Sequence, residues 1–162
     1  MSSFETASLQ FFSYDFTSPS HHAFVKELIS DPNVDKYLKN VEGFIYRDTE
    51  IPLNNAFLVG KGDNIVGYIN LYEELNTVAM DYAVRPSFRG IRNNSNETIG
   101  CEILRETSEF ILDNYEFIRF IRLYIAKSNI RSIKAATRAG FVLNDSFFEG
   151  DEYIKYPNAT LK

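Results

Sequence analysis

The chain holds a single cysteine, Cys101, so no intramolecular disulfide can form and no cysteine cluster can bind zinc. A small buried thiol is the ordinary reading of such a residue, and a reactive nucleophile the other. No stretch is long and apolar enough to span a bilayer, and residues 1–16 lack the basic start and apolar run of a secretory leader. A cytoplasmic protein with no membrane partner is expected. Basic residues are outnumbered, 17 against 22 acidic ones, giving a net charge of -5 and a pI near 5.1. That balance argues against a nucleic-acid partner, which calls for a concentrated basic surface, and it tolerates cationic ligands. Repeats, low-complexity tracts and Pro/Gly-rich linkers are also missing.

What remains is rich in core-forming residues, 44% hydrophobic and 15% aromatic, enough for one sizeable core. A single domain over residues 1–162 is expected. A first strand is predicted at residues 9–14. Ser18-Pro19 then opens a helix with Phe24, Val25, Leu28 and Ile29 on its apolar face, and Asp31-Pro32 opens a shorter one with Val34, Tyr37 and Leu38. No period is visible from there to Asn55, which reads as a long connection. Residues 56–60 and 65–72 flank the turn Lys61-Gly62-Asp63-Asn64, a hairpin signal, and residues 77–84 alternate with the period of a strand. Ile99, Ile103, Thr107, Phe110 and Ile111 share a helical face over residues 98–113. A strand at 117–126, a helix at 130–139 and a final hairpin turning near Glu149-Gly150-Asp151 complete the order.

The segment after that fifth strand carries most of the functional signal. Asn129-x-x-Ser132 opens a helix that ends at Gly140-Phe141, and this pattern, with the element order above, resembles the GCN5-related N-acetyltransferase family. Pro86-Ser87-Phe88-Arg89-Gly90 resembles the entry to that family's phosphate loop, and Thr98-Ile99-Gly100-Cys101 its exit. The resemblance implies an α/β (α+β) fold, a mixed central sheet of about seven strands flanked by about four helices and splayed between strands 77–84 and 117–126. It also implies acetyl-CoA as co-substrate and no metal. Pantetheine would lie along Tyr82, Ala83 and Val84 as a pseudo-strand and bond Asn129 and Ser132. The pyrophosphate would meet Arg89, Gly90, Arg92, Thr98, Ile99, Gly100 and Cys101, where loop and helix N–H groups converge.

Two departures stand out. Residues 91–97 interrupt the loop, leaving open whether its last small residue is Asn94 or Gly100, and Thr98 stands where a glycine is usual. The helix also has Ala136 where many members place a tyrosine that protonates the leaving thiolate. That absence, with Asn-x-x-Ser, resembles the ribosomal-protein N-terminal acetyltransferase branch, and Ser132 or a water would act instead. Asn129 reads equally as a plain N-cap, and Arg131, Lys134 and Arg138 as either a solvated face or a ribose-phosphate contact.

Amine attack needs a carboxylate base. Asp81, set among Ala79 and Ala83 in a central strand, and Glu73, at the end of the preceding one, are the candidates, with a structural carboxylate and a solvated strand end as their plainer readings. His21 and His22 have no paired acid or thiol and read as a surface pair. Tyr37, Phe44 and Tyr46, with Glu149, Asp151 and Glu152, fall where the family walls its acceptor groove, which suits a cationic amine, although packing and a charged turn explain them equally. The implied activity is acetyl transfer to a small-molecule or protein N-terminal amine, by a monomer or homodimer. A CoA-sensing or protein-interaction module with a degenerate loop is the alternative. A hydrolase is set aside for want of a Gly-x-Ser-x-Gly elbow.

Overall fold

The computed structural model describes residues 3–158 apart from 39, 48 and 50. Strands β1 (Ser3–Glu5) and β2 (Gln10–Phe12) lead into α1 (Pro19–Ile29), α2 (Pro32–Tyr37) and α3 (Val41–Ile45). Then come β3 (Ala56–Lys61), β4 (Asn64–Glu74), β5 (Thr77–Val84), α4 (Ile99–Asn114), β6 (Phe120–Ala126), α5 (Ile130–Arg138), β7 (Val142–Ser146) and β8 (Gly150–Lys155), with 3-10 turns at Pro52–Asn54 and Pro86–Phe88. All eight strands form one sheet in the order β1-β2-β3-β4-β5-β6-β8-β7.

The helix starts follow from capping chemistry. Ser18 accepts the His21 N–H at 3.3 Å ahead of Pro19, and Asp31 accepts the Asn33 N–H at 3.1 Å ahead of Pro32. At the far end of α5, Gly140 takes φ 98 while the Phe141 N–H returns to Ala136 O at 3.0 Å, a left-handed stop that a side chain would resist. The sheet separates two cores. One, including Phe11, Phe57, Ile69, Ile103 and Phe141, lies against α4 and α5; the other, including Phe24, Leu28, Leu58 and Tyr68, lies under α1, α2 and α3. Each such fully buried Leu or Phe contributes about 1.5–3 kcal/mol.

Three expectations need correcting. The strand expected at 9–14 is the shorter β2, and it is preceded by β1, whose signal is tertiary: Phe4 stacks on Phe11 at 4.4 Å and on Phe110 at 4.5 Å. The supposed irregular connection contains α3, which starts from Asn40 at φ 56 with no side-chain cap and buries Val41 and Ile45, too few residues to show a period. Residues 39, 48 and 50 of that connection lie outside the described residues. The strand expected from 117 begins at Phe120, because the Ile118 N–H closes a turn onto Tyr115 O at 3.0 Å. In the last hairpin, for which no place in the sheet was expected, β8 rather than β7 lies beside β6.

The central strands open like a V. β5 pairs β4 over its whole length, from Thr77 opposite Glu74 to Val84 opposite Gly67. On its other side it pairs β6 in parallel only at Thr77, Val78 and Ala79, opposite Phe120, Ile121 and Arg122. Beyond Ala79 the two strands part, so the facing backbone groups of residues 80–84 and 123–126 have no ladder partner in each other.

Candidate active site

Two cavities meet along the open edge of β5. The first, of about 350 Å³, is lined by Met80, Asp81, Tyr82, Ala83 and Val84 on one side and Leu123 to Ala126 on the other, with α2 and the β6–α5 junction closing it. Tyr37 OH lies 3.3 Å from Ser128 Oγ, tying α2 to that junction. The second, of about 670 Å³, extends from Tyr82 and Val84 past Gly90 and Gly100 to the outer face of α5. Tyr82, Val84, Arg89, Ile130 and Arg131 line both.

The second cavity is electrostatically one-sided. Arg89, Arg92, Arg131, Lys134 and Arg138 line it, and no Asp or Glu does, in a chain of net charge -5. The solvated face that Arg131, Lys134 and Arg138 form on α5 is therefore also a cavity wall. The N-terminus of α4 opens into the same space through Thr98, Ile99 and Gly100. Its first N–H groups have no intrahelical acceptor and carry the positive end of the helix dipole. A Cβ on Gly100 would sit 3.2 Å from the Tyr82 ring and 3.4 Å from Val84, so this turn lies directly on the end of β5.

Residues 91–97 resolve the register of the loop by folding on themselves. Arg92 bridges Thr98 in antiparallel fashion, and the Asn93 carboxamide oxygen accepts the N–H groups of Ser95 at 2.9 Å and Glu97 at 3.0 Å. The Asn93 amide nitrogen donates to Glu97 at 3.0 Å and to Glu102 at 3.1 Å. Arg105 donates to Glu97 at 2.6 and 2.9 Å, holding its carboxyl down to about 2. The insertion is thus a closed side loop that returns the chain at Thr98, and the helix register, with Gly100 as the small residue, is the one adopted. Thr98 acts as the N-cap, its hydroxyl accepting the Cys101 N–H at 3.3 Å.

The expected site residues divide accordingly. Asp81, Tyr82, Ala83, Val84, Arg89, Asn129 and Ser132 line the first cavity, and Gly90, Arg92, Thr98, Ile99 and Gly100 the second. Cys101 lines neither; its thiol is buried, with burial pushing it up to about 11, so it is no thiolate at neutral pH. Glu73 also lines neither, sitting opposite Val78 near the closed end of the β4–β5 ladder. Asn129 caps α5 by accepting the Ser132 N–H at 3.4 Å, and it also lines the first cavity.

Asp81 is half-buried, and desolvation raises its pKa above the usual carboxylate range. No hydrogen bond reaches its carboxyl among the described residues. Across the cavity, Tyr82 OH lies 3.0 Å from Ser132 Oγ, and burial pushes the phenol up to about 12, keeping it protonated. This pair was not legible in the sequence, because fifty positions separate its members. The acidic hairpin does not form a rim to these two cavities: Asp151 is bound by Lys127 at 2.6 Å, Glu152 accepts from Asn144 at 2.8 Å, and neither they nor Glu149 line either one. Of the aromatic candidates, Tyr37 lines the first cavity, while Phe44 packs on Tyr72 and Tyr46 on Tyr14 and Phe16. His22 joins Tyr14 and Phe16 O, and His21 accepts the Asp15 N–H, so both fix the entry to α1 away from the cavities.

Among the described residues, no helix is long and apolar enough to cross a membrane. No protein-family profile matches the sequence, and no curated protein sequence matches it. Solved structures do. A Bacillus anthracis acetyltransferase of the GNAT family aligns at 18% identity and TM-score 0.71 over 94% of this chain and 95% of its own. Spermidine N-acetyltransferase from Vibrio cholerae, solved with CoA and spermine, aligns at 13% identity and TM-score 0.71 over 96% and 99%. Campylobacter jejuni N-acetyltransferase PseH, in complex with acetyl coenzyme A, aligns at 12% identity and TM-score 0.68 over 93% and 99%. With its mixed sheet parted between β5 and β6, the chain therefore has the acyl-CoA N-acyltransferase fold of the GCN5-related acetyltransferases.

Proposed function

We propose that this protein is an N-acetyltransferase that moves an acetyl group from acetyl-CoA to a primary amine within a ternary complex. The observation that carries this reading is the second, cation-only cavity at the head of α4, joined along Tyr82 and Val84 to the first cavity, which Asp81 lines with a half-buried carboxyl that has no hydrogen-bond partner among the described residues. A polyanion fits the cation-lined cavity and an amine the one beside the carboxyl. The fold's neighbours solved with CoA or acetyl coenzyme A support the same assignment.

The residues that would hold acetyl-CoA are the open backbone edge of Tyr82 to Val84 with Asn129 for the pantetheine, and Arg92, Gly100, Arg131 and Lys134 for the phosphates. When bound, acetyl-CoA supplies an activated thioester whose carbon–sulfur bond breaks as the amide carbon–nitrogen bond forms. Asp81 accepts the proton that the amine nitrogen gives up, a task suited to a carboxyl whose pKa desolvation has raised. Ser132 Oγ, held 3.0 Å from the Tyr82 phenol, would donate to the departing sulfur in the role left vacant at Ala136, with the proton restored to the serine from water. Backbone N–H groups of the parted β5 edge polarise the carbonyl. Asn-x-x-Ser with Ala136 keeps protein N-termini among the candidate acceptors, as in the ribosomal-protein branch.

One observation favours the alternative, a CoA-sensing module without turnover: the Thr98 hydroxyl already occupies the Cys101 N–H. Thiol release from acetyl-CoA, followed over a panel of small amines and peptides, separates the two. Saturable, amine-dependent release supports the enzyme; acetyl-CoA binding with no release on any amine supports the sensing module.

A further inference from the structure

Of the five cations that line the second cavity, Arg89 is the one whose charge is already answered. Its Nη2 meets Asp31 Oδ2 in an ion pair, with the two side chains only 17% and 7% exposed. Arg92, Arg131, Lys134 and Arg138 make no ion pair among the described residues. A closed pair presents little net charge, so a polyanion in that cavity is drawn to the other four cations rather than to Arg89. The preceding arginine has the same bias. Arg85 donates to Glu27 on α1 at 2.7 Å and to Ile65 O at 3.2 Å, so both arginines of the turn after β5 reach back to the α1 and α2 segment.

Asp31 is the N-cap of α2, its other oxygen accepting the Asn33 N–H at 3.1 Å. α2 is only six residues long, too short to hold its place through its own hydrogen bonds, so outside contacts set its position. Val34 is buried in the second core, Tyr37 OH lies 3.3 Å from Ser128 Oγ at the far end, and Asp31 meets Arg89 at the near end. Between these points Asn33, Val34, Tyr37 and Leu38 line the first cavity, which Asp81 also lines. Arg89 borders both cavities, so one side chain stands beside the anion site and fixes the helix that walls the carboxyl's cavity. Without Arg89 an uncompensated charge would be left at Asp31, which is buried, and α2 would have to shift to bring it to water.

We propose that Arg89 is a positioning residue for the acceptor rather than the pyrophosphate contact expected from the sequence: through Asp31 it holds α2 as a wall of the first cavity and so sets the fit of the amine beside Asp81. This rests on the acetyl-transfer reading above and assigns a further residue within it. The test compares R89Q, D31N and the double variant, which leaves neither charge unpaired, while Asn at position 31 keeps the cap. Titration calorimetry reads acetyl-CoA binding, thiol release with an amine that the parent turns over reads acceptor KM, and hydrogen exchange reads the amides of residues 33–38. Each single variant is expected to raise acceptor KM by about tenfold or more, to keep the acetyl-CoA Kd within about twofold, and to speed exchange in α2 by about tenfold but not in α4. The double variant should cost no more than the larger single effect, since both changes break one contact. A general loss of stability would not divide the two ligands in this way. An acceptor KM unchanged in R89Q, or an acetyl-CoA Kd weakened by about tenfold there, overturns the assignment and leaves acetyl transfer standing. Turnover of no amine by the parent overturns the acetyl-transfer reading and this role together.

Discussion

The two sides of the parted cleft were built by different means. The β6–α5 junction is continuous in sequence: strand, Asn129 cap, helix and Gly140 stop follow without interruption, and every element is local. The β5–α4 connection reaches an equivalent end point, an open helix N-terminus, only after a detour through residues 91–97. The detour closes on itself through Asn93 and Arg92, so it leaves the position of Gly100 on β5 intact. An insertion is tolerated at a functional loop when its own hydrogen bonds bring the chain back to the neck.

If the first cavity does the chemistry and the second holds the anion, substitutions in each should separate rate from affinity. The largest effect is expected at Asp81. D81N should lower kcat by about 10²–10⁴-fold while leaving the acetyl-CoA dissociation constant unchanged, as steady-state kinetics and titration calorimetry would show. The same change should raise stability at neutral pH. Burial raises the folded-state pKa of Asp81, so the native state holds its proton more tightly than the unfolded chain, and stability falls as pH rises from the ordinary carboxylate range through that raised value. Thermal unfolding against pH should show D81N gaining over the parent above that window and losing the advantage below it.

In the second cavity, a combined R131Q and K134Q change should weaken acetyl-CoA binding by about tenfold or more, with kcat at saturation little changed. Salt should weaken the parent more steeply than the double variant, because screening acts on charges that are present. At the neck of the detour, N93A removes the carboxamide that organises residues 93–97 and the bond to Glu102, and should cost about 1–3 kcal/mol by chemical denaturation. The smallest effect is expected from G100A. Its Cβ would press within 3.2 Å of the Tyr82 ring, costing about 1 kcal/mol and a few-fold in acetyl-CoA affinity.

What was legible in the sequence was what is local. Period-two alternation marked β5 to the residue, and Ser18-Pro19, Asp31-Pro32 and Asn129 marked three helix starts because a cap is a contact between near neighbours. What was hidden depends on partners far along the chain. β1 exists because Phe4 finds Phe11 and Phe110, α3 because Val41 and Ile45 find the second core, and β8 lies beside β6 against hairpin order. The cavity walls show the same division. Asn129, Arg89 and Asp81, named from type and position, line the first cavity, whereas the Tyr82–Ser132 contact and the Arg47–Asn70 pair join elements that only the folded sheet brings together.

The most direct test of the account is thermal unfolding of the protein with acetyl-CoA and with CoA at rising concentration. Ligand at about 100 times its dissociation constant adds roughly 2.7 kcal/mol, or about 5–10 °C for a chain of this size, and a saturable rise of that order in both titrations is the predicted result. An unchanged Tm at millimolar ligand would mean that the closed loop and the Thr98 cap have dismantled the anion site, and would contradict the acetyltransferase reading.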